Sequence, residues 1–155
     1  LTRPNVASGR SLGFFPGTME DKMAPWVIPF TDVITKHLGT AAYEIAVKRR
    51  NIEIVPFEVM RGRTFDDSFV ILDEGQNTTP SEMKMFLTRI GDGTRIVING
   101  DVRQTDLKTT SGLKVIIDMA YNQRMAVPHI EFTSDDIVRS GICGMWVRAF
   151  DAVGI

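Results

Sequence analysis

The sequence has 155 residues, 43% of them hydrophobic, and its 18 basic and 19 acidic side chains give a formal net charge of -1. This composition is typical of a globular protein, and the near-neutral charge argues against coating of nucleic acid by bulk charge alone. No run approaches the roughly 18 to 20 apolar residues of a membrane span, and the first ten residues lack the apolar stretch of a signal peptide. We therefore expect a cytoplasmic protein with no membrane partner.

The cysteine and histidine content restricts the kinds of metal site that the chain could form. Cys143 is the one cysteine, which excludes an internal disulfide framework. His37 and His129 are far apart in the chain and do not form a zinc-binding spacing. Any bound metal is therefore expected to have oxygen ligands.

The first third of the chain contains a predicted loop, two predicted helices and a short strand. Glycine and proline interrupt the first 18 residues, which is typical of a loop. Apolar residues at three-and-four spacing predict a helix from Pro25 that ends at Gly39, and a second helix is predicted over residues 41–50. Residues 52–57 (IEIVPF) are predicted as a short edge strand, because their proline lacks an N–H donor.

Two apolar runs in the middle of the chain predict parallel strands buried on both faces, residues 69–73 (FVILD) and 95–99 (RIVIN). Between them, Thr79-Pro80-Ser81-Glu82 predicts a helix start with a capping threonine, proline at the first position and glutamate three residues after the cap. Gly91 is predicted to end that helix. The rest of the chain is predicted as a helix over 112–122, a strand over 129–132, and terminal helices over 135–153 broken near Gly141 and Gly144.

This alternation of strands and helices predicts an α/β fold with a parallel sheet and helices on both faces. In such sheets, ligands bind beyond the carboxyl ends of the strands. The polar residues that follow 69–73 and 95–99 are therefore the first candidates for a functional site.

Asp73 and Glu74 stand together at the end of the first predicted strand. In a nucleotide-hydrolysing site, one such carboxylate holds Mg²⁺ and the second orients and deprotonates the attacking water. The alternative is that the strand simply ends in a polar turn, and short motifs of this kind are often coincidental.

Gly100-Asp101 and Gln104 follow the second predicted strand. The glycine permits a sharp turn, and the amide of Gln104 can both donate and accept a hydrogen bond near a terminal phosphate. The alternative is an ordinary turn with a surface glutamine. Two motifs at matching strand ends, with one capped helix between them, nevertheless favour a nucleotide site.

The run from 69 to 107 closely resembles the PhoH family of P-loop ATPases, which is itself similar to the motor domain of superfamily 1 helicases. The resemblance extends over nearly the whole chain. Further segments fall in family order, namely Arg3-Pro4, Leu12-Gly13-Phe14, Pro16-Gly17, residues 59–64, Ser111-Gly112-Leu113 and residues 136–139.

The resemblance implies a RecA-like P-loop core in which Asp73 and Glu74 form the Walker B pair, Gln104 is the sensor glutamine, and Arg139 is an arginine for an adjacent nucleotide. It also implies ATP and Mg²⁺ as cofactors and RNA or single-stranded nucleic acid as a partner. A homo-oligomeric ring such as a hexamer is a further implication. Arg61 and Arg63 are candidate phosphate contacts, because a guanidinium group matches phosphate geometry.

Each of these arginines also has an ordinary structural explanation. Arg61 and Arg63 could be surface loop charges, and Arg139 could form a helical ion pair with Asp135 or Asp136. In addition, Ser140-Gly141 stands where a His-Pro pair is usual in the family, which weakens the assignment of Arg139.

The phosphate-binding loop of the family requires G-x-x-x-x-G-K-[ST], yet none of the 13 glycines here is followed by lysine. We therefore interpret the chain as one PhoH-like ATPase domain over residues 1–155 that lacks its first strand and helix. Such a chain is expected to be nearly inactive alone. It is also expected to expose part of the edge of 69–73, on the assumption that the missing strand lies there.

Two other function classes remain open. The chain could be a non-catalytic, truncated or split module that acts by interaction. More distantly, it could be a magnesium-dependent phosphoesterase that uses Asp73, Glu74 and Asp101 without a phosphate-binding loop.

Overall fold

The computed structural model describes residues 1–4 and 19–154, except for the side chains of residues 19–24, Glu58 and Ser134. Most of the predicted N-terminal loop, with Leu12-Gly13-Phe14 and Pro16-Gly17, lies outside these residues. The chain divides into two compact units, Leu1–Gln123 and the residues from Arg124 onward. Each unit is described by itself.

The first unit is an α/β structure built around parallel strands, as predicted. Strand β1 (Phe69–Leu72) pairs in parallel with strand β2 (Arg95–Ile98), so that Phe69 lies opposite Arg95 and Leu72 opposite Ile98. The elements in chain order are α1 (Met19–Leu38), α2 (Thr40–Lys48), β1 (Phe69–Leu72), α3 (Pro80–Leu87), β2 (Arg95–Ile98) and α4 (Gly112–Asn122).

A short extended segment around Thr2 covers one end of the other edge of β1. The N–H of Thr2 donates to the carbonyl of Ile71 at 2.9 Å, and the carbonyl of Thr2 accepts from the N–H of Asp73 at 3.0 Å. The pairing of Thr2 with Leu72 is parallel. The expectation that part of the edge of 69–73 is exposed stays a prediction for the remainder of this edge.

The core of the first unit lies on one face of the sheet, where α3 and α4 pack. The rings of Phe57 and Phe86 meet there with centroids 5.8 Å apart. Burial alternates along both strands, with Phe69 of β1 64% exposed and Val97 of β2 45% exposed, so the prediction of burial on both faces is wrong for both strands. The buried core residues are Val55, Phe57, Met60, Val70, Leu72, Met83, Phe86 and Leu113.

The helices and the predicted edge strand of the first unit differ in part from the sequence prediction. Helix α1 begins at Met19 rather than Pro25, and α3 ends at Leu87 rather than at Gly91. Residues 52–57 do not form a strand. Val55 makes one backbone hydrogen bond to the carbonyl of Leu1, and a 3-10 turn begins at Phe57.

The second unit contains a 3-10 turn, Ser134–Asp136, followed by helix α5 (Gly141–Val153). Helix α5 runs through Gly144 without the predicted break. Residues 129–132 form no strand and are all exposed, because no neighbouring strand pairs with them in the described structure. None of the helices described in either unit has the length and apolar character needed to cross a membrane.

Candidate active site

A cavity of about 220 Å³ opens at the carboxyl ends of β1 and β2. The two strands are parallel, so the polar residues that follow them meet at the same edge of the sheet. Three of the predicted site residues, Asp73, Glu74 and Gln104, line this cavity together. The complete lining is Asp73, Glu74, Gln76, Asn99, Gly100, Asp101 and Gln104.

Asp73 follows directly after β1 and is 8% exposed. Its Oδ1 accepts a hydrogen bond of 2.9 Å from the Nδ2 of Asn99, which follows β2. Its Oδ2 lies 3.6 Å from the Nη1 of Arg3. A buried carboxylate is costly unless it is paired and hydrogen-bonded, and these two contacts supply both kinds of partner.

Glu74 adopts a left-handed backbone conformation, with φ of 52° and ψ of 39°. Non-glycine residues seldom occupy this region, and such strain is found preferentially at functional sites. The carboxylate of Glu74 lies 3.3 Å from the Nη2 of Arg3, and its other oxygen accepts a hydrogen bond of 2.5 Å from the Nε2 of Gln76. The strained backbone thus presents a carboxylate held from two sides.

Gln76 connects Glu74 to the loop that follows β2. Its side chain is almost fully buried, and its Oε1 accepts a 3.2 Å hydrogen bond from the N–H of Asp101. Gly100 permits this approach, because a Cβ atom there would lie only 2.5 Å from the Oε1 of Gln76 and 2.8 Å from Leu113. The two strand-end loops are therefore joined by one buried amide.

Gln104 lies at the exposed side of the cavity. Its Nε2 donates to Oδ2 of Asp101 at 3.1 Å, while Oδ1 of Asp101 accepts from the N–H of Arg103 at 2.9 Å. Asp101 is thus engaged in organising its own loop. Within the described part of the chain, the side chain of Gln104 is held at one end of the cavity by a single exposed hydrogen bond, which a ligand could replace.

The oxygen atoms that line the cavity could bind a magnesium ion whose other ligands are water and phosphate oxygens. Among the described residues, no group of three His, Cys, Asp or Glu side chains could hold a metal ion by itself. Mg²⁺ usually keeps several waters and binds one or two carboxylates together with substrate phosphates. Asp73 and Glu74, adjacent at the cavity wall, fit this arrangement.

Arg61 and Arg63 do not line the cavity. The Nη2 of Arg63 lies 2.8 Å from Glu53, and its guanidinium lies 5.7 Å from the ring centroid of Phe65. Arg61 is exposed. A role in phosphate binding stays a prediction for both residues.

Arg139 belongs to the second unit, where it is exposed in the bend between the 3-10 turn and α5. The carboxylate of Asp136 accepts hydrogen bonds from the N–H and the hydroxyl of Thr133, at 2.7 and 3.0 Å. Both bonds lower the pKa of Asp136 below its usual value, and the bond from the backbone N–H has the larger effect. In the described structure, Arg139 forms no ion pair with Asp135 or Asp136, so the proposed helical ion pair is absent there.

Sequence reasoning missed three of the residues that hold the acids, namely Arg3, Gln76 and Asn99. Asn99 could have been noticed, because it ends the second predicted strand, whereas no local pattern marks Gln76, three residues after Asp73, as buried. Arg3 is about seventy residues from Asp73 in sequence, and only the pairing of Thr2 with β1 brings it there. No local pattern signals such a contact.

Comparison with known proteins shows the family of the chain. A family model described as PhoH-like protein matches residues 1–151. The chain belongs to the PhoH family. It is 45% identical to a PhoH-like protein of Bacillus subtilis (strain 168), over 97% of this chain and 48% of that protein. It is 39% identical to Protein PhoH of Escherichia coli (strain K12), over 97% of this chain and 43% of that protein.

A PhoH-like protein of Mycobacterium tuberculosis (strain H37Rv) is 41% identical, again over 97% of this chain and 43% of the relative. The chain thus spans less than half the length of each of these PhoH relatives.

Proposed function

We propose that this chain carries the part of an ATP-hydrolysing site that binds magnesium and activates water. The observation that supports this most directly is the shared cavity of Asp73, Glu74 and Gln104 at the carboxyl ends of two parallel strands. Membership of the PhoH family supports the same assignment through the resemblance of that family to P-loop ATPases. ATP and Mg²⁺ are the proposed cofactors.

The proposed roles follow from the surroundings of each side chain. When bound, Mg²⁺ would neutralise charge on the phosphate oxygens. Asp73, buried and oriented by Asn99, would hold the ion. Glu74, oriented by the buried amide of Gln76, would position a water molecule and accept its proton.

Gln104 would report the state of the terminal phosphate to the rest of the protein. Its side chain is at the exposed end of the cavity and, among the described residues, is held by Asp101 alone, so it can exchange that partner for a phosphate oxygen. The phosphate-binding loop would have to come from outside these 155 residues. Arg61 and Arg63 are proposed as additional phosphate contacts.

We propose that ATP hydrolysis drives the remodelling of RNA or single-stranded nucleic acid. We also propose that the protein forms a homo-oligomeric ring in which Arg139 contacts the nucleotide of a neighbouring subunit. These finer assignments rest on the resemblance to helicase motors. The formal charge of -1 requires that nucleic acid bind at a local basic surface.

A chimera tests the proposal. Residues 1–151 replace the matching segment of the Bacillus subtilis relative, which supplies the remainder of a longer protein. In this chimera, Asp73→Asn should weaken binding of the magnesium–nucleotide complex, whereas Glu74→Gln should preserve binding and reduce turnover by roughly a hundredfold or more. Nucleotide affinity and steady-state ATP hydrolysis are measured for both variants, with the unaltered relative as the control for assembly.

Two outcomes would favour the other function classes. Equal loss of nucleotide affinity in both variants, with turnover unchanged at saturation, would contradict the assigned roles and favour a non-catalytic module. The 155-residue chain alone should hydrolyse ATP hardly at all, because its sequence contains no G-x-x-x-x-G-K-[ST] loop to position the phosphates at the two acids. Efficient, magnesium-dependent hydrolysis of phosphoesters by the chain alone would instead favour the phosphoesterase.

A further inference from the structure

Each of the four carboxylate oxygens of Asp73 and Glu74 has a protein partner. Amide groups of Asn99 and Gln76 donate to one oxygen of each acid, at 2.9 and 2.5 Å. The other oxygen of each acid faces the guanidinium of Arg3, at 3.6 and 3.3 Å. One arginine thus supplies the positive charge for both acids, and it does so on the oxygens that the amides leave open.

The two kinds of contact differ in strength. The amide contacts are short hydrogen bonds, whereas the contacts of Arg3 exceed the roughly 2.7 to 2.9 Å of a charge-assisted hydrogen bond. The side chain of Arg3 is also 27% exposed, so water and ions have access to it. Arg3 therefore neutralises the acids without being locked to them.

Arg3 has a second set of contacts on helix α1. Its Nη1 donates to the backbone carbonyl of Trp26 at 3.2 Å, and its guanidinium lies 5.7 Å from the centroid of the Trp26 ring. A cation at this distance from an indole face is attracted to it. The guanidinium can therefore leave the acids and still retain favourable partners.

We propose that Arg3 is an internal counter-ion of the acid pair, which a divalent cation displaces toward helix α1. A doubly charged ion at Asp73 and Glu74 would occupy the oxygens that Arg3 faces, and like charges at that distance repel. Arg3 would then shift from the acids to Trp26, so that metal binding at the sheet edge is transmitted to α1. The inference rests on the proposed function only in assuming that the two acids bind a divalent cation.

The first test measures Mn²⁺ binding to the 155-residue chain without any nucleotide, by the electron paramagnetic resonance signal of the free ion. Arg3→Gln should bind Mn²⁺ roughly three- to tenfold more tightly than the unaltered chain, because the competing charge is gone. Arg3→Lys should stay near the unaltered affinity, because it keeps the charge. Far-UV circular dichroism checks that each variant is folded.

Lys114→Gln is the control. It removes the same charge and an exposed ion pair with Asp118, but Lys114 does not line the cavity. The proposal is overturned if Arg3→Gln binds Mn²⁺ no more tightly than the unaltered chain, including the case in which neither binds. An equal increase in affinity in Lys114→Gln would also overturn it.

The second test does not require a stable Arg3 variant. The chain has two tryptophans, so Trp146→Phe leaves Trp26 as the single reporter. Addition of Mg²⁺ should change its emission with a saturable dependence that NaCl of equal ionic strength does not reproduce, and Asp73→Asn should abolish the change. If the emission of Trp26 does not change when Mg²⁺ is added, displacement of Arg3 is contradicted. Neither test involves ATP, so failure of the ATPase proposal and failure of this one are distinguishable.

Discussion

The buried amide of Gln76 joins the loop after β1 to the loop after β2. It donates to Glu74 and accepts from the N–H of Asp101, so both of its polar atoms have partners. Removal of one partner from a buried hydrogen bond leaves the other without compensation, which usually costs more than the bond itself contributes. Gln76 is therefore both part of the site and part of the fold.

We predict that Gln76→Leu lowers the free energy of unfolding by about 1–3 kcal/mol, because a carboxylate oxygen and a backbone N–H lose their partner. Urea denaturation at neutral pH provides the measurement. Gln123→Leu is the control, since Gln123 is exposed and such a change is usually within about 0.5 kcal/mol. Similar losses in the two variants would show that the amide of Gln76 contributes no special stability.

Some residues of the candidate site could be predicted from their position at the end of a strand, and others could not. Asp73, Glu74 and Gln104 were predictable, because polar residues after buried strands meet at one sheet edge in any parallel arrangement. Arg3 was not, because its place depends on a long-range backbone pairing. Gln76 was not, because no local rule distinguishes a buried glutamine from a surface one.

Helix α3 connects the acid-bearing loop to the core. The hydroxyl of Thr79 accepts from the N–H of Glu82 at 3.3 Å, and the carboxylate of Glu82 accepts from the N–H of Thr79 at 2.7 Å, which completes the predicted capping box. Met83 and Phe86 anchor the helix in the core. Hydrogen bonds of the capping box thus fix the start of α3, and apolar contacts hold the helix against the core.

Thr79→Ala should destabilise the chain by about 1 kcal/mol, because the N–H of Glu82 loses its acceptor and the carboxylate of Glu82 loses the hydrogen bond from the threonine hydroxyl. Thermal or urea unfolding provides the measurement. Thr88→Ala is the matched control at the other end of the same helix, where the hydroxyl donates to the carbonyl of Met85 on an exposed surface. We expect a clearly smaller effect there, and an equal effect would contradict the importance of the capping box.

Helix elements with strong local signals were predicted well, whereas two of the segments predicted as strands do not form strands. The start of α3 and the extent of α4 follow from capping and from apolar spacing within the helix itself. Residues 52–57 and 129–132 have the composition of strands, but a strand requires a neighbour with free hydrogen-bonding groups. Residues 52–57 bury Val55 and Phe57 in the core without pairing as a strand.

At the scale of the whole molecule, the sheet in the described structure consists of Thr2, β1 and β2, side by side. The parallel α/β class was predictable from the alternation of the sequence. The order of the strands was not, because strand order depends on contacts between distant segments. That is why the pairing of Thr2 with the end of β1 was not foreseen.

Subunit mixing tests the proposed ring. In full-length protein that carries a phosphate-binding loop, Arg139→Ala and Glu74→Gln subunits should each be inactive alone and should recover part of the ATPase activity when mixed. A mixed interface would combine an intact Glu74 with an intact Arg139 from different chains, and such arginines contribute roughly 10³ to 10⁵ in rate. Sedimentation confirms that the subunits assemble. Assembly without any recovery would remove the argument for a shared site.

The two backbone hydrogen bonds of Thr2 also decide which way Arg3 faces. Side chains along an extended segment alternate between two faces, so a slip of one residue exchanges their places. In the present register, Thr2 is 1% exposed and Arg3 reaches Asp73 and Glu74. A slip by one residue would bury a guanidinium where the small threonine now fits and leave the two acids facing each other without a cation. The alignment of one short segment thus sets the electrostatic balance of the whole cavity.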